Sequence, residues 1–182
     1  MNKCDMLLGK STNIQIGDSS RLMNVKFHIN AVHSTIRIGK NCILQDLEIW
    51  IEDNDNIVTI GDGTYIGGAH LAVTGNNKCV TIGESCLLSS GIIMRTGDSH
   101  AIVDLYSMEK LNDEKDVIIE PHVWIGQNVT ILKGVNIGHD SVIGSSSVVT
   151  KNIPNNCIAV GNPSRVVREG VTWTPDRWLT NE

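Results

Sequence analysis

Six histidines offer the side chains best suited to moving a proton near neutral pH, and His100 stands apart from the others by its position. In Arg95-Thr96-Gly97-Asp98-Ser99-His100 a regular stretch of chain gives way to an irregular, charged one. A neutral imidazole there could serve as a general base. Asp98 or Asp104 is close enough in sequence to accept a hydrogen bond from one ring nitrogen and fix the tautomer. A surface histidine anchoring a loop would have the same spacing, so the sequence alone leaves both readings open. His122 and His139 read as surface residues.

Charge gives a second clue. The chain carries a formal net charge of −5, yet residues 141–168 contain no Asp or Glu and do contain Lys151, Arg165 and Arg168. A basic segment at one end of an acidic molecule suits a phosphorylated ligand; a solvated cap edge would look the same. Within it, Gly144-Ser145-Ser146-Ser147 has side chains small enough for a ligand to approach the backbone amides.

The elements that must carry these groups are strands. The 182 residues fit one domain with a sizeable core. Aromatics make up 4%, whereas Ile and Val number 23 and 17, the composition of a β-branched strand core and not of a helical bundle. No apolar run approaches the roughly 20 residues of a membrane span, and the start of the chain does not read as a signal peptide. The acidic balance argues against nucleic-acid binding. Five cysteines without CxxC pairing read as reduced thiols of a cytoplasmic protein, with no disulfide framework and no zinc site.

A six-residue period organises the chain. From residue 119 an aliphatic side chain recurs at Ile119, Ile125, Ile131, Ile137, Ile143 and Val149, each followed four places later by a mostly compact residue: Val123, Val129, Val135, Ser141, Ser147, Ile153. Eight of the 17 glycines directly follow an isoleucine, and the same frame recurs upstream at Ile38-Gly39, Ile60-Gly61 and Ile82-Gly83. Helices repeat at 3.6 and half-buried strands at 2, so a period of six means a short strand and a corner. Three such faces close one triangular coil of 18 residues, with Gly or Asn taking the bend, and successive coils pair in parallel about 4.8 Å apart. Cys42 and Cys86 fall in the compact inward slot, where packing is the expected role. The signal is clear over 117–160, weaker over 36–94 and faint before residue 30.

Two short stretches, Asp53–Val58 and Gly75–Val80, break the frame like widened corners. His100–Asp116 breaks it more severely; its mixed charges suggest a protruding, solvated loop, functional or disordered. Residues 164–182, with Trp173 and Trp178, abandon the period. The expected organisation is therefore a parallel β-helix over 1–163, with a loop insertion at 101–116, and a carboxy-terminal cap or arm at 164–182.

The run Val123-Trp124-Ile125-Gly126-Gln127-Asn128-Val129, together with Val148-Val149-Thr150-Lys151-Asn152-Ile153-Pro154 and Ala159-Val160-Gly161-Asn162-Pro163-Ser164-Arg165, resembles the hexapeptide-repeat acyltransferases. The Asp98-Ser99-His100 turn is most similar to members that O-acetylate bacterial surface polysaccharides or their precursors. Relatives of the galactoside and maltose type have His-Pro here, where this chain has Ala101. The resemblance implies a left-handed coil, acetyl-CoA as cosubstrate and homotrimers with each active site between two subunits. It implies His100 as the catalytic base, Trp124 at the acetyl-CoA channel and the Gln127 amide as oxyanion donor. Gly144, Ser145, Thr150 and Lys151 would line the pantetheine arm and phosphates, with Arg165 and Arg168 nearer the nucleotide. His70 and Asp98 are candidates to touch the acceptor.

A sugar hydroxyl is too weak an acid for an imidazole to deprotonate outright. The resemblance therefore implies proton removal in concert with attack on the thioester, without metal or acyl-enzyme. Two other functions suit the same architecture. The γ-type carbonic anhydrases bind zinc through three histidines shared between subunits, but here only His100 and His122 lie near the equivalent region. A non-catalytic scaffold is the other. Within the enzymatic reading, a free sugar or an antibiotic could replace the polysaccharide as acceptor.

Overall fold

The computed structural model describes residues 4–176. Three flat sheets of seven, six and eight strands form the sides of a triangular solenoid of about seven coils. In sheet A the strands are Cys4–Leu7, Val25–Ile29, Leu47–Ile51, Ala69–Val73, Ile92–Arg95, Thr130–Ile131 and Val148–Val149. Sheet B holds Asn13–Ile16, Thr35–Ile38, Ile57–Ile60, Cys79–Ile82, Val117–Ile119 and Asn136–Ile137. Sheet C runs from Arg21–Met23 through Ile43–Gln45, Tyr65–Ile66, Leu87–Leu88, Trp124–Ile125 and Val142–Ile143 to Cys157–Val160, and Arg165–Glu169 folds back antiparallel on its last edge. All other pairings between these strands are parallel, an all-β architecture consistent with the left-handed coil expected.

Each coil points one file of aliphatic side chains inward. Ile49, Leu71, Met94 and Ile131 from sheet A meet Ile60, Ile82, Ile119 and Ile137 from sheet B and Ile66, Leu88, Ile125 and Ile143 from sheet C, all with at most 1% exposure. The compact slots hold Cys42, Thr64, Cys86, Val123, Ser141 and Cys157. The buried hydroxyls there are satisfied, Thr64 donating to the Gly83 carbonyl at 2.7 Å and Ser141 to that of Pro154 at 2.8 Å. Burial pushes the Cys86 thiol up to about 11, which keeps it protonated and unreactive, as a packing role requires.

One expectation needs correction. Coils of 18 residues exist only from Val117 onward; upstream, Thr35 stands opposite Ile57 and Ile57 opposite Cys79, a repeat of 22. The added length sits at the corner from sheet A to sheet B. From His70 to Thr81 that passage takes 11 residues, against six from Thr130 to Asn136. The long loop occupies the same corner of the fifth coil, between Ile92–Arg95 and Val117–Ile119, and so enlarges a corner that was already wide.

The Ile-Gly glycines have a role apart from the bend. The left-handed backbone of the B-to-C corner falls two residues further on, at Asn41, Gly63, Ser85, His122, Asp140 and Asn156. The glycine is required instead by stacking. A Cβ on Gly61 would lie 2.4 Å from the Glu84 amide nitrogen in the next coil.

Candidate active site

The long loop is ordered by its neck. Thr96 is fully buried and exchanges two 2.8 Å hydrogen bonds with the Thr74 backbone, while the Lys115 amide donates to the Thr96 carbonyl at 2.8 Å. Asn112, nearly buried, joins the two sides. Its side-chain oxygen accepts from the Ile102 amide at 2.7 Å, and its nitrogen donates to Asp98 at 2.9 Å and to the His100 carbonyl at 2.8 Å. The Lys133 ammonium, from the next coil, bonds both Asp98 and the Asn112 carbonyl. That ammonium is the main cause holding the Asp98 carboxyl below the usual carboxylate range.

His100 is thus fixed through its backbone, and its exposed ring has no hydrogen-bond partner among the described residues. Neither expected carboxylate holds it. Asp98 is committed to Lys133 and Asn112, and Asp104 accepts from the Tyr106 and Ser107 amides, each at 2.9 Å, to close the loop's tip. The tip is exposed and ordered. A bridge between Val103 and Lys110 makes it a small hairpin, and it presents Leu105, Tyr106 and Met108 at 79, 91 and 67% exposure.

The remaining candidate residues fall into two groups. At the A-to-B corner, His100 in the fifth coil is followed by Lys133 in the sixth and by Thr150 and Lys151, both exposed, in the seventh. On sheet C, Trp124 in the fifth coil is followed in one cross-strand row by Val142, Ile158 and Arg168. Arg165 is exposed on the same final strand, its guanidinium donating to the Ser164 carbonyl at 2.8 Å. Gln127, Gly144 and Ser145 occupy the C-to-A corner, with the Gln127 amide donating to the Ser145 hydroxyl at 3.2 Å. An oxyanion could take that amide only after the hydroxyl rotates away. His70 projects from sheet A, bonded to Glu48 at 3.0 Å.

The A-to-B corner lies across the triangle from sheet C. A single chain therefore separates His100 from Trp124, although it sets both at the same height along the axis. His122 is separated from His100 as well, at the B-to-C corner, and no cluster of three metal-binding side chains occurs among the described residues.

Sequence reasoning placed Trp173 in a cap or arm but not against Trp124. Its indole nitrogen donates to the His122 carbonyl at 2.7 Å, its ring stacks on His122 at 4.5 Å, and it lies 6.0 Å from Trp124. Asp140 supports this corner by bonding His122 and His139, each at 2.7 Å, and Thr172 at 2.9 Å. Trp178 lies outside the described residues. Asn112 and Lys133 were missed, because their meaning depends on contacts 12 to 35 residues away.

Residues 116–151 match the family model described as bacterial transferase hexapeptide, six repeats. The chain carries that repeat. It is 44% identical over 82 residues to a polysialic acid O-acetyltransferase of Escherichia coli O1:K1, a match covering 45% of this chain and 27% of that protein. The chain thus spans about a quarter of the length of this curated relative. The solved polysialic acid O-acetyltransferase OatWY superposes with a TM-score of 0.86 at 28% identity, over 97% of this chain and 89% of the other. A hexapeptide-repeat acetyltransferase of Vibrio cholerae, solved with acetyl coenzyme A, gives a TM-score of 0.54 at 25% identity, over 85% of this chain and 70% of that one.

Proposed function

We propose that the protein transfers an acetyl group from acetyl-CoA to a hydroxyl of a sugar, in a bacterial surface polysaccharide or its precursor, at a site shared between two subunits of a homotrimer. One observation carries this reading. His100, Lys133 and Lys151 descend one edge of the solenoid through its fifth, sixth and seventh levels, while on the opposite face one row descends from Trp124 at the fifth level to Arg168, one strand beyond the seventh. Parallel copies around a threefold axis bring that edge of one subunit against sheet C of the next. An extended cosubstrate then lies along the axis, its thioester level with His100 and Trp124 and its phosphates between the levels of Lys151 and Arg168. Three strand spacings of about 4.8 Å separate Trp124 from Arg168, giving a path of roughly 14 Å.

The surface supports this assembly. Between Arg21 and Arg168 at its two ends, the outer row of sheet C is Ile43, Tyr65, Leu87, Trp124, Val142 and Ile158, an apolar stripe suited to a subunit contact. The apolar hairpin tip at Leu105, Tyr106 and Met108 projects beyond its own coil and suits a hold on the neighbour. The free thiols of Cys42, Cys79, Cys86 and Cys157 fit a cytoplasmic setting, where acetyl-CoA is available.

The chemistry follows from the arrangement. Neutral His100 accepts the hydroxyl proton as the oxygen attacks the thioester carbonyl, contributing about 10² to 10⁴ in rate. Donors at the Gln127 corner stabilise the tetrahedral oxyanion, each by roughly 3 kcal/mol. Collapse expels the CoA thiolate, and the imidazolium returns its proton to that leaving group. Lys151 and Arg168 hold the phosphates so that the thioester stays in register. The test is His100→Ala. Acetyl transfer to sugar hydroxyls should fall at least about 100-fold, with acetyl-CoA still raising the melting temperature; undiminished transfer would refute the assignment.

A further inference from the structure

The outer face of sheet A carries a constructed patch that acetyl transfer itself does not use. Glu48 stands between two histidines, one carboxylate oxygen 3.2 Å from His28 Nε2 and the other 3.0 Å from His70 Nδ1. Beside them the Trp50 indole is 38% exposed, stacked on His28 at 5.0 Å and held at its nitrogen by Glu52 at 2.9 Å. An aromatic ring of this size is ordinarily buried; this one is fixed in place on the outside.

The patch contains two adjoining grooves, which together form a shallow channel across the sheet. In the cross-strand row that holds Trp50, the next two strands supply Ala72 and Arg95. The small alanine between two large side chains leaves a groove of about 250 Å³, which ends at Ser99, next to His100. On the other side of His70 a second groove, of about 360 Å³, continues over Gly68, Ala69 and Gly91 towards Lys26. His70 lines both. The two grooves, which share His70, together span four coils, from Lys26 in the second to Ser99 in the fifth, about 14 Å at 4.8 Å per coil. That is longer than one sugar ring.

We propose that this channel binds the acceptor as an extended glycan chain, with Trp50 as the stacking platform. The reading deepens the proposed acetyl transfer by naming the form of its acceptor. The C–H face of a sugar ring packs against the electron-rich face of an indole. The preset His28–Glu48–His70 array and Arg95 offer donors and acceptors to hydroxyls on either side. A chain seated there delivers a unit to His100 while its neighbours are held coils away, so a free monosaccharide forfeits most of the contact.

The test is equilibrium binding to a panel of soluble bacterial polysaccharides that includes polysialic acid, each paired with its monosaccharide. The intact protein should bind at least one polymer at least about tenfold more tightly than its monosaccharide, counted per sugar unit. Trp50→Ala should lose about tenfold in that affinity, and Trp50→Phe, which keeps a ring, should retain most of it. In both variants acetyl-CoA should still raise the melting temperature, which shows that the fold and cosubstrate site persist. His100→Ala should bind the polymer as tightly as the parent. No preference for polymer, or wild-type polymer affinity in Trp50→Ala, overturns the inference. Transfer that survives in His100→Ala overturns the enzymatic reading alone and leaves polymer binding at Trp50 in place.

Discussion

The Asn112 side-chain nitrogen donates to the His100 carbonyl at 2.8 Å, and the same side chain bonds Asp98 and the Ile102 amide. One carboxamide thereby sets the start of the loop against its return strand. The imidazole position follows from a backbone anchored 12 residues away.

Asn112→Ala should consequently damage turnover more than binding. A displacement of about 1 Å at a reacting group costs on the order of 100-fold in rate, so kcat should fall between about ten- and 100-fold with KM for acetyl-CoA little changed. The loop lies outside the solenoid core, so the melting temperature should move by only a few degrees. Steady-state kinetics with a thermal melt checks both; a rise in KM at constant kcat would show that Asn112 does not position His100.

Much of the solenoid was legible because its core obeys a strict rule. From Ile119 to Val149 each inward position is a sixth residue, and burial of that file follows directly. The 22-residue coils were less legible, since their added residues are mostly polar and lie at one corner, outside the aliphatic file. Within the site, type and position made His100 a candidate, and Trp124 was nominated only by the resemblance to the hexapeptide-repeat acyltransferases. The commitment of Asp98 to Lys133 could not, because a 35-residue separation is set by coil length and by the exit point of the loop.

Gly61→Ala tests why glycine follows isoleucine at the corners. The new methyl group would meet the Glu84 nitrogen at 2.4 Å and the Gly83 carbonyl carbon at 2.6 Å, both backbone atoms of a packed coil. Overpacking of this kind costs about 1–3 kcal/mol, although the φ of Gly61 suits any residue. Denaturant unfolding should report that loss; a variant as stable as the parent would contradict the stacking account.

Acid should release the carboxy-terminal segment from sheet C. Hydrogen bonds from His139, His122 and Thr172 lower the Asp140 carboxyl to about 2, against an ordinary value near 3.9. A carboxyl depressed in the folded state stabilises it fully above the ordinary value. That contribution disappears as pH falls from about 4 through about 2. Emission attributable to Trp173, obtained by difference from Trp173→Phe, should shift to the red over this window. In Asp140→Asn the shifted emission should already be present at neutral pH. A Trp173 signal independent of both changes would contradict the latch.

Subunit complementation measures the central claim most directly. His100→Ala and Trp124→Ala proteins, each inactive alone, are unfolded together at equal concentration, refolded and assayed for acetyl transfer. If His100 of one subunit works against Trp124 of its neighbour, every mixed trimer contains one intact site, and random assembly restores about a quarter of parental activity. Mixed trimers as inactive as the two parents would contradict a site built between subunits.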